Sequence, residues 1–267
     1  MRLTNEQMNH FHDQGYLCFD PGLDPDLPER IVADLLPHYG QQNLCETANG
    51  TRVQDAWHFS DAARDLALNE TILNALEQLY ERKPLPFQTL NFPVGTEQRT
   101  HSDTIHFNSD PAGYMAGVWV ALEDIDENNG ALKYYPGSHR LPEVTMQDVG
   151  GGIGYEHYQD YEDFIQKLIE SEGLQAERGR VKRGQVFIWH GNLLHGGGSH
   201  PDRSRTRHSQ VTHYFFEDCR YYTPMESRPE KRQWRHPHWI GQSMEETSKP
   251  ASLARRIIHK LQRIVGN

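Results

Sequence analysis

A change in the residue pattern at Phe87 constrains the fold more than any other feature of this chain. Beyond it, short runs of β-forming residues are separated by glycine, proline and other turn residues; the clearest runs are QTLNF, YMAGVWVAL, GALKYYPG, RGQVFIWHG and SQVTHYFF. Many short strands joined by turns indicate a β-sandwich or barrel, whereas regular alternation of strands and helices would indicate a parallel sheet. We therefore predict a mainly β fold with flanking helices.

The residues before Phe87 have a helical pattern. Thr4 opens a capping box at the start of a first helix, and Ser60 or Asp61 is placed to cap a later helix whose apolar side continues to Leu79. We predict a helical lead-in over residues 1–86.

The β-like series itself, residues 87–218, is the predicted core of a single domain that spans 1–267. An insertion at 146–179 interrupts the series, and it contains a run of glycines followed by a helical pattern near 160–171. Because loops placed on a rigid scaffold often carry function, we interpret this insertion as a lid over a site.

Residues 249–267 differ from the rest because they are basic and contain no acidic residue. Their apolar residues share one helical face, so the segment is predicted to form a basic C-terminal helix. Two interpretations stay open: contact with a membrane surface or a partner, or packing of this helix on the acidic body of the protein.

Charge and cysteine content exclude several classes of function. The chain holds 37 Asp and Glu against 27 Lys and Arg, a formal charge of −10, whereas dedicated nucleic-acid binders carry a basic face. Its three cysteines, Cys18, Cys45 and Cys219, are far apart, which argues against a disulfide framework and against a thiolate zinc site. Without disulfides, we predict a cytoplasmic protein. We expect neither a secretory signal nor a transmembrane segment. The sixteen histidines therefore need an explanation that does not involve cysteine.

Three residues have the types and spacing of metal ligands. In a strand, side chains two residues apart point to the same face, so His101 and Asp103 can converge on one point, and His195 in a later β-like segment can complete the set. Two histidines and a carboxylate leave coordination positions open in non-haem Fe(II) oxygenases. Zinc and other hydrolytic sites can use the same ligands, so the ligand types alone do not decide the metal.

An arginine after His195 narrows the choice of metal and function. A turn could return the chain antiparallel and place Arg207 in the same cavity as His195, where its guanidinium could hold one carboxylate of a dicarboxylate such as 2-oxoglutarate. Strand parity favours Arg207, which shares a face with Ser209. Arg205 or Arg203 could take this role if the turn differs.

Taken together, these motifs resemble the phytanoyl-CoA dioxygenase family of Fe(II)- and 2-oxoglutarate-dependent oxygenases. The resemblance covers residues 87–216 and rests on the order and spacing of three segments, namely His101-x-Asp103, the run from Asn128 to Pro136-Gly137-Ser138-His139, and Leu194-His195-Gly196 followed by Arg207. It implies a double-stranded β-helix, or jelly roll, which agrees with the strand texture.

The resemblance also implies roles for particular residues. His101, Asp103 and His195 match the iron ligands, and Arg207 matches the partner of the distal 2-oxoglutarate carboxylate. Trp119 matches a position that lines the cosubstrate pocket, and Gln88 matches a position where a further contact with the cosubstrate is common. The turn between His195 and Arg207 is a residue longer than the family's usual one, which leaves the choice between Arg207 and Arg205 open.

The expected function is hydroxylation of an unactivated C–H bond in a small molecule by O2, with Fe(II) as cofactor and succinate and carbon dioxide as coproducts. The presence of Asp103 favours hydroxylation, because related halogenating enzymes lack that carboxylate. Two alternatives remain: a non-oxidative metal-dependent hydrolase or isomerase, and a non-catalytic jelly-roll binding protein.

The sequence does not identify the substrate or the oligomeric state. Candidate residues for substrate selection are His106, Asn108, His139, Arg140 and the cover at 150–158. Other histidines have simpler explanations: His190 is predicted to pack in the core, and His236 and His238 lie in an irregular aromatic-rich segment.

Overall fold

The computed structural model describes residues 1–39 and 52–242, so the predicted basic helix at 249–267 lies outside the described residues. Within the described ranges the helices are Asn5–Gln14 (α1), Leu27–Leu35 (α2), Asp61–Ala67 (α3), Glu70–Tyr80 (α4), Met146–Val149 (α5) and Tyr158–Ser171 (α6). The strands are Tyr16–Phe19 (β1), Val53–Gln54 (β2), Pro84–Phe92 (β3), Asn108–Asp110 (β4), Met115–Ala121 (β5), Leu132–Tyr134 (β6), Glu177–Gly179 (β7), Val186–His190 (β8), His195–Gly197 (β9), Ser209–Phe216 (β10), Arg220–Tyr222 (β11) and Trp234–Arg235 (β12).

The strands form antiparallel sheets in a jelly-roll arrangement. The major sheet has six strands in the order β1-β8-β5-β10-β3-β2, and two three-stranded sheets have the orders β7-β6-β9 and β12-β11-β4. Because sequence neighbours are mostly not sheet neighbours, the chain crosses repeatedly between sheets, as it does in jelly rolls. The predicted mainly β fold with flanking helices is confirmed.

Alternation along the strands gives the major sheet two apolar faces. On β5, Val118 and Val120 pack with the helices α1 to α4, whereas Trp119 points to the interior and packs with Leu132 of the sheet β7-β6-β9. The same alternation on β10 places Tyr214 against the helices. Every second residue of these strands therefore faces the interior, where a site can form.

The N-terminal region differs from the predicted helical lead-in in two ways. The capping box of Thr4 is present, but the long helix after Ser60 is divided into α3 and α4, because Asn69 accepts a hydrogen bond from the Ile72 amide and caps a new helix. This region also supplies β1 and β2 to the major sheet. Strands of four and two residues carry too little alternation to be found in a sequence.

The insertion at 146–179 is attached to the β core at several points. Helix α6 packs Tyr161 and Ile165 against Ile105 and Leu194. The last residues of the insertion form β7, which pairs with β6. The predicted lid is therefore tied directly to the sheets, and its closing role stays a prediction.

No helix within 1–39 or 52–242 combines the length and apolar character that a membrane span needs.

Close packing of Gly117 against Trp189 gives a prediction about stability. The two residues are cross-strand partners, and a Cβ at Gly117 would overlap the indole of Trp189. We expect Gly117→Ala to lower the free energy of unfolding by about 1–3 kcal/mol, because overpacking a buried sheet forces its neighbours to move. Chemical denaturation measures this change.

The matched control is Gly179→Ala on β7, where the nearest atom to a new Cβ is Cε1 of Tyr134 at 3.6 Å, an ordinary contact. Equal destabilisation by the two substitutions would contradict this account of Gly117.

Candidate functional site

Three potential metal ligands meet in the interior of the jelly roll. His101, Asp103 and His195 are all buried, and their ligand atoms lie within 4.8 Å of one another. The Nε2 atoms of both histidines lie 3.8 Å from Oδ1 of Asp103. Such a cluster, with both imidazoles and one carboxylate oxygen facing a common point, has the donor set of a divalent transition-metal site.

The backbone positions these ligands through one isolated β-bridge. His101 and His195 donate their amide N–H groups to each other's carbonyl oxygens at 2.9 Å. The chain then turns at once, because the amides of both His106 and Phe107 bond to the carbonyl of Asp103 at 2.9 Å. The expectation that His101 and Asp103 lie in one regular strand is therefore wrong: Asp103 opens a 3₁₀ turn immediately after the bridge.

Hydrogen bonds to backbone carbonyls assign the histidine tautomers. Nδ1 of His101 donates to the Arg99 carbonyl and Nδ1 of His195 donates to the Leu193 carbonyl, both at 2.9 Å. Because a carbonyl only accepts, the proton of each neutral ring is assigned to Nδ1, and the Nε2 lone pair is free to face Asp103. Metal-bound histidines are held in this way.

Burial and mutual electrostatics favour the protonation states that bind metal. Burial, together with the neighbouring His195, lowers the pKa of His101 to about 3. Burial opposes ionisation of Asp103, but the surrounding histidines outweigh it and hold the pKa of that carboxyl below its usual range. At neutral pH this leaves an uncharged His101 and an ionised Asp103, as metal ligation requires.

The second oxygen of Asp103 is also held. The indole Nε1 of Trp189 donates to Oδ2 at 2.7 Å, and Nε2 of His213 lies 3.6 Å from the same oxygen. On its other side, Nδ1 of His213 lies 3.0 Å from Oε1 of Gln88. Gln88 therefore reaches the cluster through His213 in this structure.

Trp189 and His213 were not among the site residues predicted from the sequence. His213 follows Ser209 and Val211 on the inward-facing positions of β10, so the parity argument applied to Arg207 could have found it. No comparable sequence signal marks Trp189.

Arg207 is a buried arginine with few partners. It is 4% exposed, its Nη1 donates to Ser209 Oγ at 2.8 Å, and its Nε has no hydrogen-bond partner among the residues that the structure describes. The guanidinium carbon lies 5.3 Å from the ring centre of Trp119 and 5.7 Å from that of Phe92. Burial lowers the pKa of Arg207 to about 10, although Glu123 acts in the opposite direction, so Arg207 stays charged at neutral pH while it forms no salt bridge within the part of the chain that is described.

The other two arginines weighed for this role lie elsewhere. Arg205 pairs with Asp126 at 2.9 Å and Arg203 pairs with Glu97 at 2.7 Å, and neither lines the cavity. The turn before Arg207 does not return it along β9, because β9 and β10 belong to different sheets that face each other. The ligand histidine and Arg207 approach the interior from opposite walls.

These groups share one cavity of about 450 Å³, a size typical of small-molecule sites. The three potential ligands, Arg207, Trp119 and Gln88 all line it. Residues that line it and were not predicted to do so include Arg52, Phe107, Arg235 and His213.

The proposed substrate-selecting residues separate into two groups. His106, Tyr155 and Tyr158 line the cavity, and the rings of His106 and Tyr155 stack with centres 5.7 Å apart. His139 and Arg140 lie elsewhere and bond to backbone carbonyls at the end of α1.

The remaining candidates also lie away from the potential ligands. The side-chain amide of Asn108 donates to Oε2 of Glu143 at 2.7 Å, and the backbone N–H of Asn192 donates to Nδ1 of His190. In residues 1–39 and 52–242, neither His236 nor His238 belongs to a group that could hold a metal.

Comparison with known proteins agrees with this geometry. The family model described as "Phytanoyl-CoA dioxygenase (PhyH)" matches residues 11–208. The chain belongs to the phytanoyl-CoA dioxygenase family. It is thus an enzyme of the dioxygenase class.

Two curated relatives illustrate the range of the family. Phytanoyl-CoA dioxygenase domain-containing protein 1 of Danio rerio is 30% identical over 93% of this chain and 98% of its own length. The peroxisomal phytanoyl-CoA dioxygenase of Homo sapiens is 25% identical, but that match covers 64% of this chain and 51% of the human protein.

Solved structures show the same fold at low identity. The α-ketoglutarate-dependent carbocyclase SnoK from nogalamycin biosynthesis aligns with a TM-score of 0.66 at 18% identity, over 82% of this chain and 87% of its own. EctD from S. alaskensis, solved with 2-oxoglutarate and 5-hydroxyectoine, aligns with a TM-score of 0.63 at 19% identity, over 90% of this chain and 87% of its own.

The hydrogen bond from Trp189 to Asp103 gives a prediction about metal affinity. Trp189→Phe keeps most of the packing but removes the donor to Oδ2, so we expect a loss of about 10- to 100-fold in affinity for Fe(II) or a redox-stable substitute such as Co(II). Anaerobic metal titration measures it.

Trp119→Phe is the control, because the Trp119 indole Nε1 is also buried and has no hydrogen-bond partner in residues 1–39 and 52–242. A loss of metal affinity of the same size in both variants would mean that packing, and not the hydrogen bond, is responsible.

Proposed function

We propose that this chain is a 2-oxoglutarate-dependent dioxygenase that hydroxylates a C–H bond of a small molecule. His101, Asp103 and His195 would hold Fe(II), and Arg207 would hold the distal carboxylate of 2-oxoglutarate. The observation that carries the proposal is the placement, in the same cavity as the ligand cluster, of a buried arginine that forms no salt bridge with any described residue.

The ligand cluster fits a metal that must also bind substrates. Three ligands on one side leave the remaining positions of an octahedral metal open to a chelating cosubstrate and O2. The imidazoles have a free Nε2 and the carboxylate is ionised, so no proton must be displaced from His101 or Asp103 when the metal enters.

Arg207 fits the far end of a dicarboxylate. A buried cation without a counter-ion is costly, and a carboxylate bound to its guanidinium through parallel hydrogen bonds would offset that cost. Ser209 fixes the guanidinium, and the rings of Trp119 and Phe92 flank it. Gln88 has a supporting part in the proposal, since it contacts His213 beside Asp103.

Fe(II) with 2-oxoglutarate and O2 supplies an oxidant that inserts oxygen into a C–H bond and releases succinate and carbon dioxide. The protein's residues bind the substrate, keep it in one orientation and exclude water. The aromatic walls of the cavity, including Phe107 and Tyr158, suit this role. Retention of Asp103 favours hydroxylation, although the solved relatives include a carbocyclase and an epimerase.

The two alternative functions fit less well. A non-oxidative hydrolase or isomerase would use the ligand cluster but would not need Arg207 near it. A non-catalytic binding protein would not need His101 and His195 to have defined tautomers facing a common carboxylate.

The proposal predicts a cosubstrate-specific defect. The purified enzyme is expected to form succinate from 2-oxoglutarate in a reaction that needs Fe(II) and O2. Arg207→Ala should raise the KM for 2-oxoglutarate by about 10- to 100-fold, because it removes a charge-assisted interaction. Arg205→Ala is the control, since Arg205 pairs with Asp126 outside the cavity.

Replacing a ligand should have a different effect. His101→Ala and Asp103→Ala are each expected to abolish Fe(II) binding and succinate formation together. Robust turnover of the wild-type enzyme with Zn(II) and without 2-oxoglutarate would overturn the proposed function and revive the hydrolytic alternative.

A further inference from the structure

The cavity carries more positive charge than the proposed chemistry uses. Arg52, Arg207 and Arg235 all line it, while Asp103 is the one carboxylate among the described residues that line it. Within residues 1–39 and 52–242, none of the three arginines forms a salt bridge, and the Nε of each is buried without a hydrogen-bond partner.

This arrangement contrasts with arginines on the acidic surface of the protein. Arg99 pairs with Asp163 at 2.7 Å, and Arg220 pairs with Asp110. In a chain with 37 acidic residues against 27 basic ones, acidic partners are plentiful. Among the described residues Arg52 and Arg235 form no salt bridge beside the proposed metal site, although Glu226 acts electrostatically on Arg235, so their guanidinium groups are available to an anion from outside the protein.

Arg52 and Arg235 reach the cavity from two different sheets. Arg52 immediately precedes β2, the edge strand of the major sheet, and Arg235 lies in β12, the edge strand of the sheet β12-β11-β4. Nη1 of Arg235 donates to Thr223 Oγ1 at 3.0 Å, and its guanidinium carbon lies 4.8 Å from the ring centre of Phe107. These contacts fix the orientation of Arg235, and within the described ranges its Nε donor has no hydrogen-bond partner.

Both arginines also lie near His106, on the same side of the cavity. Burial is the main cause that lowers the pKa of His106 to about 4, and the charges of both Arg52 and Arg235 act in the same direction, so both guanidinium groups lie near this ring. Tyr155 stacks on His106 and interacts electrostatically with Arg235. Arg52 and Arg235 therefore belong to one region, next to an aromatic surface and on the same cavity as the ligand cluster.

Charge balance indicates how much negative charge this region can accept. Under the proposed function, Fe(II) and the dianion of 2-oxoglutarate neutralise each other, and Asp103 balances Arg207. Among the other described arginine and carboxylate side chains that line the cavity, the charges of Arg52 and Arg235 remain, with Glu226 near Arg235 outside the lining.

We propose that the substrate of this enzyme carries a carboxylate or phosphate group, which Arg52 and Arg235 bind together while the uncharged part lies along Phe107, His106 and Tyr155 toward the metal. Guanidinium groups bind both kinds of anion through paired, charge-assisted hydrogen bonds. The orientation toward the metal rests on the proposed function, but the anion site itself does not.

The test uses three probes with the same six-carbon chain length: hexanoate, hexyl phosphate and the neutral hexanamide. Each is titrated calorimetrically into the Fe(II)-loaded protein without oxygen and with saturating 2-oxoglutarate, which occupies Arg207. We expect at least one anion to bind about 10- to 100-fold more tightly than hexanamide, and the two anionic arms decide between carboxylate and phosphate.

Variants assign the preference to the two arginines. Arg52→Gln and Arg235→Gln should each remove most of the preference for the anion, whereas Arg205→Gln, on the surface pair with Asp126, should leave it unchanged. Thermal unfolding checks that each variant is folded. If one Gln variant does not fold, the corresponding Lys variant replaces it and should keep part of the preference, since it keeps the charge.

Failure of this inference can be told apart from failure of the proposed function. The visible charge-transfer absorption of an Fe(II)–2-oxoglutarate complex is recorded in the same sample. Absorption with no anion preference overturns the inference and leaves the proposed function standing. Without absorption the proposed function fails, and the comparison of wild type with Arg52→Gln and Arg235→Gln in metal-free protein still decides the anion site.

Discussion

The candidate site depends on the pair of backbone hydrogen bonds between His101 and His195. These two bonds join the segment before Asp103 to β9, although the segments are separated by more than ninety residues in the chain. Because the histidines are held by their backbones, their rings meet next to Asp103, and the carbonyls of Arg99 and Leu193 then orient both rings. The ligand cluster is therefore a consequence of sheet pairing as much as of residue type.

The rest of the jelly roll supports this junction. The major sheet places Trp189 and His213 behind Asp103, so one carboxylate oxygen is held by the protein while the other faces the histidines. Gly117 leaves the space that the Trp189 indole occupies. Arg207 lies next to β10 of the same major sheet and faces the interior from the wall opposite β9 and His195, in line with a cosubstrate that spans the distance between metal and guanidinium.

Much of this could be predicted from the sequence, and the failures have physical causes. Long strands such as β10 and capped helices such as α1 have local signals, and their residues were found. Short strands such as β1 depend on a distant partner, β8, and carry almost no local signal. The break between α3 and α4 depends on the cap at Asn69, which an uninterrupted apolar pattern obscures.

The candidate site shows the same division between local and distant information. His101, Asp103, His195 and Arg207 could be named because spacing and parity are properties of neighbouring residues. Arg52 and Arg235 could not, since they come from the edges of two sheets and share no motif. That Arg52 and Arg235 form no salt bridge with the described residues can be seen only in the folded structure.

The most direct test of the central claim is a crystal structure of the protein grown without oxygen in the presence of Fe(II) and 2-oxoglutarate. The account predicts one iron bound by Nε2 of His101, Nε2 of His195 and Oδ1 of Asp103, with the distal carboxylate of 2-oxoglutarate on Arg207. Iron bound elsewhere, or 2-oxoglutarate bound away from Arg207, would contradict it.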